Sequence, residues 1–381
     1  MPWSRSYLFC ILLLAACDRP PTQPAGGADT VVLLGSEAGE ILVVDPGPSL
    51  FDGPERRIPI PRFLDAFALS PDGATVYFTA FETLPERKLH AFDLRRLDMV
   101  RARAIADILG TDDTQDVVDS GGQAITVSPD GTTLFIAGWR SGEGALGIGV
   151  VDARSFELVG FVGPLRVRAY GLATLSPGAG RPEGAVLALG RRPGRTDPSD
   201  VYLFVIDPER QEVIDSMAGV VADTSAYQVV PAADGRHVYL SGSYSLTRYD
   251  LEARALREHV RLPTLGWLTL ARDGHELYRS DKRVDPYIPG EGRVFVFGPD
   301  LDEREPVDLS GYPEAGSPPI VLSAASSRDG EFLYVVTGTA SFERSPPYQP
   351  ARLFVVRLAD RAVERVIQLG SWNVGPPIVV P

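Results

Sequence analysis

Ser128–Gly160 reads SPDGTTLFIAGWRSGEGALGIGVVDARSFELVG, and Ala124–Val127 (AITV) stands directly before it. Two short apolar runs, AITV and LFIA, flank Asp130-Gly131. Glycine tolerates the positive φ that a tight turn requires, so this pair reads as a β-hairpin. A third run, Ile148–Asp152 (IGVVD), ends in an aspartate. Its carboxylate can accept hydrogen bonds from the next backbone amides and so start the following turn. A weaker, more polar run, Glu157–Val162, completes a unit of four antiparallel strands.

The unit repeats. Asp-Gly recurs at Asp72-Gly73, Asp130-Gly131, Asp234-Gly235, Asp273-Gly274 and Asp329-Gly330, with a degenerate copy at Ser176-Pro177-Gly178. Five positions after each Asp stands an aromatic residue: Tyr77, Phe135, Tyr239, Tyr278 and Tyr334. Third runs fall at Ile41–Asp45, Leu89–Asp93, Ile148–Asp152, Leu203–Asp207, Leu246–Asp250, Val294–Gly298 and Leu353–Arg357, seven in all. Four-stranded units recurring about every 40 to 57 residues are the signature of a β-propeller. The expected fold is therefore all-β, a seven-bladed β-propeller of four-stranded antiparallel blades. The first piece, Val31–Ile60, supplies three strands, and the C-terminal Pro377-Ile378-Val379-Val380 supplies one. Joined, they make one blade, so the C-terminal strand is expected to close the ring and remove two free sheet edges.

Composition narrows the class. At 381 residues with 44% hydrophobic content, there is chain for a large core, which excludes disorder and disulfide-stapled miniproteins. The formal charge is −13, and Lys88 and Lys282 are the only lysines. Phosphate would repel such a chain, so nucleic acid is not an expected partner. Near the start, Arg5 precedes a ten-residue apolar run, Tyr7–Ala16. As a helix it rises only about 15 Å, half a bilayer core, which fits a signal-peptide h-region rather than a span.

The run ends in Leu14-Ala15-Ala16-Cys17, which resembles the bacterial lipobox. The resemblance implies a signal peptide over 1–16, a lipidated Cys17 anchoring the chain to the membrane, and a Pro/Gly-rich tether to residue 28, with the propeller over 29–381. An ordinary secretory signal with an incidental Cys is the alternative. The location implied is the bacterial cell envelope, and the choice of membrane stays open. Cys10 leaves with the signal, so the mature chain has no free thiol for a disulfide or a nucleophile.

The pattern SPDG…YF…LHAFDL and its copy at Ser128–Gly160 resemble the YVTN-type repeat of bacterial seven-bladed propellers. That superfamily includes lactonase-like proteins and the propellers of quinoprotein and cytochrome-type enzymes. The resemblance implies fold and leaves function open, because the ring hosts hydrolases, redox enzymes and docking platforms alike.

Candidate sites divide into three sets. His90, His237, His259 and His275 are read in different blades and at non-equivalent positions, so a converging His ligand set is not expected. The long segment Ala106–Gly122 is read as a loop carrying Asp107, Asp112, Asp113, Asp116 and Asp119. These carboxylates fit a solvated acidic loop, a divalent cation site centred on Asp112, Asp113 and Asp116, or an acid/base pair. Loops between second and third strands bring Trp139, Arg140, Arg191, Arg192, Arg195, Tyr244, Lys282, Arg283, Tyr287, Phe342, Arg344 and Tyr348. Aromatics mixed with Arg are the composition of interface hot spots. At the axis the repeat phase places Asp65, Gln123, Tyr170, Tyr227, Gln228, Trp267 and Asn373 around the channel mouth, where they can bind a small ligand or plug the channel. The expected function is a monomeric, non-catalytic binding or scaffolding module for a protein or an extracellular ligand. A lactonase-like hydrolase using the channel-face carboxylates is the alternative, and a quinone-holding redox propeller a third reading.

Overall fold

Leu203, Phe204, Val205 and Ile206 are consecutive, and all four are buried. A strand hidden on both faces needs a sheet packed on each side. The computed structural model supplies this as an all-β propeller of four-stranded antiparallel blades. The structure describes residues 30–35, 40–44, 56–60, 64–83, 86–110, 125–140, 145–175, 181–195, 197–222, 227–264, 266–281, 291–313, 318–338, 351–370 and 374–380.

Six sheets are each built of four consecutive strands, over 64–104, 125–162, 168–218, 228–261, 268–308 and 321–368, called blades 1 to 6 here. A further sheet places Val374–Val380 beside Thr30–Gly35, then Glu40–Val44, then Arg56–Pro59. Val31 pairs with Val379 and Val32 with Ile378.

Strand periodicity of two decides which neighbour each side chain meets. Leu203 and Val205 join an apolar cluster with Val229, Val238 and Leu240 of blade 4. Phe204 and Ile206 point the other way, into the cluster shared with blade 2. In the sheet made from both chain ends, Leu42 and Val44 pack with Leu322 and Leu353 of blade 6. Ile41 and Val43 pack with Val76 and Phe78 of blade 1. The aromatics five residues after each Asp are all buried and contribute to these clusters.

The first strand of each blade lies against the first strand of the next, so first strands line the axis. Antiparallel order then gives the propeller two faces. One carries the turns joining strands one to two and three to four, the turn face. The other carries the connections from strand two to three and from blade to blade, the loop face.

The turn face repeats one device. Ser70 Oγ donates to Asp72 Oδ1 at 2.6 Å, Asp72 Oδ1 also accepts from the Ala74 amide, and Ser70 Oγ accepts from the Thr75 amide. Ser128–Asp130 and Ser327–Asp329 repeat the pattern in blades 2 and 6. These serine hydroxyls hold Asp72, Asp130 and Asp329 below the usual carboxylate range. The aspartates ending third strands also act as expected. Asp93, Asp152, Asp207 and Asp250 each accept from the backbone amides two and three residues on.

Two details differ from the sequence reading. Ser176-Pro177-Gly178 lies outside the described residues, and the positive-φ glycine described between the first two strands of blade 3 is Gly184, whose neighbour Ala185 donates to Pro182 O. The segment read as a loop from Ala106 begins as helix α1 (Ile105–Leu109), because Ile105 and Ile108 face the same way and are buried in the cluster between blades 1 and 2.

Candidate functional site

The described part of the loop face is densest over blades 3, 4 and 5. Its inner rim is held by side chains that reach from one innermost strand to the next. Gln228 is fully buried, and its amide donates to Leu268 O at 2.6 Å while accepting from Leu268 N at 2.8 Å. It thereby adds the equivalent of a ladder pair between two strands of different blades. The neighbouring Tyr227 hydroxyl donates to Gly266 O at 2.7 Å and accepts from Gly266 N at 3.2 Å. Trp267 is half-buried, and its amide donates to Ser280 Oγ at 2.7 Å. Nearer the turn face, Thr174 and Thr269 also bridge first strands, donating to Val127 O and Ala324 O. Thus Tyr227 and Gln228, expected at the channel mouth, spend their described polar groups on tying blade 4 to blade 5.

Beneath this rim lies a residue that the sequence reading missed. Arg279 is fully buried in the second strand of blade 5, yet its Nη2 donates to the carbonyls of Gly242, Ser243 and Thr264 at 3.1, 3.3 and 2.8 Å. The guanidinium so fixes both loop-face connections of blade 4 from below. A signal was present in the repeat. At the position after the conserved-phase aromatic, the other blades carry Phe78, Ile136, Leu240 and Val335, and blade 5 alone carries a charge there. Gly266 belongs to the same assembly, since a Cβ there would fall on the Ser280 carbonyl oxygen.

Aromatic and arginine side chains stand on the neighbouring connections of blades 3 and 4. Arg191 ends the second strand of blade 3 and stands 5.8 Å over the Tyr170 ring, on the innermost strand. Arg192 lies 5.0 Å over Tyr202 and 3.4 Å from Asp200 Oδ1. Asp197 Oδ1 accepts from Ser199 N and starts the short 3-10 turn Pro198–Asp200 that carries Asp200. Arg195 is exposed and donates its backbone amide to Arg192 O. In blade 4 the turn closes through Gly242 N to Ser245 O, Tyr244 O accepts from Leu262 N, and the Tyr244 side chain is left 54% exposed. Stacked guanidinium and phenol groups on a fixed backbone present flat, electropositive and aromatic surface, which suits acidic or aromatic groups.

The remaining candidates are placed as follows. Asp65 lies on the first strand of blade 1, at a register shift between Leu64 and Ala66. Trp139 and Arg140 end the second strand of blade 2, opposite Leu146 and Ala145. Cys17, Asp112, Asp113, Asp116, Asp119, Gln123, Lys282, Arg283, Tyr287, Phe342, Arg344, Tyr348 and Asn373 lie outside the described residues.

The histidines do not all fall in different blades, because His237 and His259 both belong to blade 4. They remain separate in role. His90 is buried and stacked on Phe78, and His259 Nδ1 lies 3.2 Å from Thr247 Oγ1. His237 Nδ1 lies 2.6 Å from Asp234 Oδ2 on the turn face, and His275 is exposed in its turn. Among the described residues, no three His, Cys, Asp or Glu side chains are grouped to hold a metal ion.

No family model matches the chain, and no curated protein matches its sequence. Solved structures do match its fold. A dihydro-heme d1 dehydrogenase, NirN, in complex with DHE superposes with a TM-score of 0.56 at 14% identity, covering 94% of this chain and 77% of that one. Hydrazine synthase of Kuenenia stuttgartiensis superposes with a TM-score of 0.50 at 14% identity, covering 81% of this chain and 96% of that one. At this identity the likeness is one of architecture: the chain shares the β-propeller fold with both proteins.

Proposed function

We propose that this chain is a lipid-anchored bacterial envelope protein whose seven-bladed, YVTN-type propeller docks a protein or an extracellular ligand on its loop face. The observation that carries the docking reading is the pairing of Arg191 with Tyr170 and Arg192 with Tyr202 on blade 3, together with the exposed Tyr244 on a blade 4 connection held from below by Arg279. Rigid aromatic and arginine side chains lose little entropy on binding and dominate interface energetics. The seven-bladed ring draws support from the pairing of Val374–Val380 with Thr30–Gly35. It draws more from Leu42 and Ile41, adjacent residues that pack against blade 6 and blade 1 respectively. The anchor draws support from Leu14-Ala15-Ala16-Cys17 and the Pro/Gly-rich stretch after it.

Two experiments test this reading. Metabolic palmitate labelling of cells expressing the full chain should mark the protein, and Cys17→Ser should abolish the label. A photo-crosslinking residue at Tyr244 should yield a discrete adduct in intact cells, whereas one at Arg95 on the turn face should not. The adduct should weaken about tenfold when Arg191 and Arg192 become Ala, as expected for interface hot spots. Equal crosslinking from both faces, or an adduct indifferent to the two arginines, excludes the loop face as the docking surface. A tightly held metal or small-molecule mass in native mass spectrometry, lost when Asp112, Asp113 and Asp116 become Asn, would favour the hydrolase instead.

A further inference from the structure

Arg57 lies on Arg56–Pro59, the outermost strand of the sheet made from both chain ends. Its Nη2 donates to Leu369 O, directly after the last strand of blade 6. The Leu369 amide in turn donates to Ala351 O, beside the start of that blade's third strand. Third strands start and fourth strands end on the loop face, so Arg56–Pro59 also ends there. The link to blade 1 agrees. Pro59 and Leu64, the start of blade 1 on the loop face, are five residue steps apart. Such a link reaches about 17 Å at most, enough to cross from an outermost to an innermost strand and not to climb a strand as well.

Antiparallel order reverses direction twice from there. Arg56–Pro59 pairs with Glu40–Val44, and that strand pairs with Thr30–Gly35, Gly35 lying opposite Glu40. Thr30 therefore starts on the turn face, opposite Val380. The chain enters the propeller on the face that does not carry Arg191, Arg192 and Tyr244.

Thirteen residue steps separate Cys17 from Thr30. A coil of that length spans about 20 Å on root-mean-square average and about 45 Å fully stretched. To lay the loop face on a lipid surface, it would have to run outward past two strands, about 10 Å, and then along a blade, about 20 Å for a six-residue strand. Confinement to that route costs chain entropy, and the opposite orientation requires none of it. On the reading that Cys17 carries lipid, we infer that the turn face lies toward the lipid surface and the loop face is presented away from it. The partner of the loop face then arrives from the aqueous side of the envelope, not from within the same bilayer.

Energy transfer on the lipidated full chain in phosphatidylcholine vesicles tests the orientation, with a rhodamine lipid as acceptor. Separate samples carry the donor dye through Arg95→Cys on the turn face of blade 1 or Gly311→Cys on the loop-face connection into blade 6. The Arg95 side chain is 73% exposed, and a Cβ at Gly311 meets nothing within 4 Å. Transfer should be severalfold stronger from position 95 than from position 311. Equal transfer, or stronger transfer from 311, overturns the orientation and leaves the anchor standing, provided that vesicle binding is lost in Cys17→Ser. Binding that survives Cys17→Ser, or no binding by the full chain, removes the anchor itself and this orientation with it.

Discussion

The two faces of the propeller are made from the same strands under opposite rules. On the turn face, blades 1, 2 and 6 repeat one Ser–Asp–Gly turn, and four third strands end in the same aspartate cap. Each turn satisfies itself within a few residues. On the loop face, the larger bracing side chains differ from one another and reach between blades. Gln228 reaches Leu268, the Tyr227 hydroxyl reaches Gly266, and Arg279 of blade 5 holds carbonyls of blade 4. A repeated device can fail in one copy while its neighbours stand, whereas a one-off contact between blades has no substitute. Irregular sequence on the loop face thus marks specific, rather than loose, structure.

The largest expected effect tests this contrast at its strongest point. Gly266→Val pushes a branched side chain onto the Ser280 carbonyl, and the tie from Tyr227 leaves the backbone little room to yield. Its cost should be about 3 kcal/mol or more, read from guanidinium unfolding. Next comes Gln228→Leu, of similar size but without the amide, which leaves the buried N–H and C=O of Leu268 unsatisfied. That should cost about 2 kcal/mol.

The third concerns the exception on the turn face, Asp250, a cap that is also buried between two arginines. Arg236 and Arg257 donate to its Oδ2 at 2.8 and 2.7 Å. The hydrogen bond from Arg236, foremost, holds its carboxyl well below the ordinary value of 3.8. A lowered carboxyl stabilises the fold fully above pH 3.8, and that stabilisation is lost as the pH falls through the folded value. Asp250→Asn should cost about 1–2 kcal/mol at neutral pH. The melting temperature of the variant should also fall less steeply than that of the wild type below pH 3.8. Parallel acid profiles would show that Asp250 is only a cap.

Smallest is a single repeated turn. Gly131→Ala places a Cβ at φ +74°, with Pro71 Cδ at 3.4 Å. The left-handed backbone should cost about 1 kcal/mol, a small shift in melting temperature. Should Gly131→Ala prove as damaging as Gly266→Val, the distinction between the two faces would collapse.

Much of this was legible in the residues themselves. Asp-Gly and the third-strand Asp announce four-stranded blades because each is a local device, settled by hydrogen bonds two to five residues apart, and the aromatic five positions on repeats in phase with them. Alternation did the rest, since residues such as Leu203 to Ile206 need partners on both faces. The candidate site was legible only in composition. Arg191, Arg192 and Tyr244 stand out as aromatic and arginine residues between second and third strands, but their partners do not. Tyr170 is 21 residues before Arg191 in sequence, and only the hairpin brings the two together. The brace under the blade 4 connections, Arg279, showed itself as one charge in an apolar column and carried no hint of what it holds.

The sequence alone therefore determined the blade, its turns and the faces of its strands, because those follow from periodicity and from hydrogen bonds between near neighbours. Tertiary structure alone decided which polar side chains serve to fasten one blade to the next. It also decided that Arg57 reaches Leu369, 312 residues on, which marks the face on which Thr30–Gly35 starts. Contacts between blades depend on the angle and offset at which whole sheets pack, and no local pattern encodes that geometry.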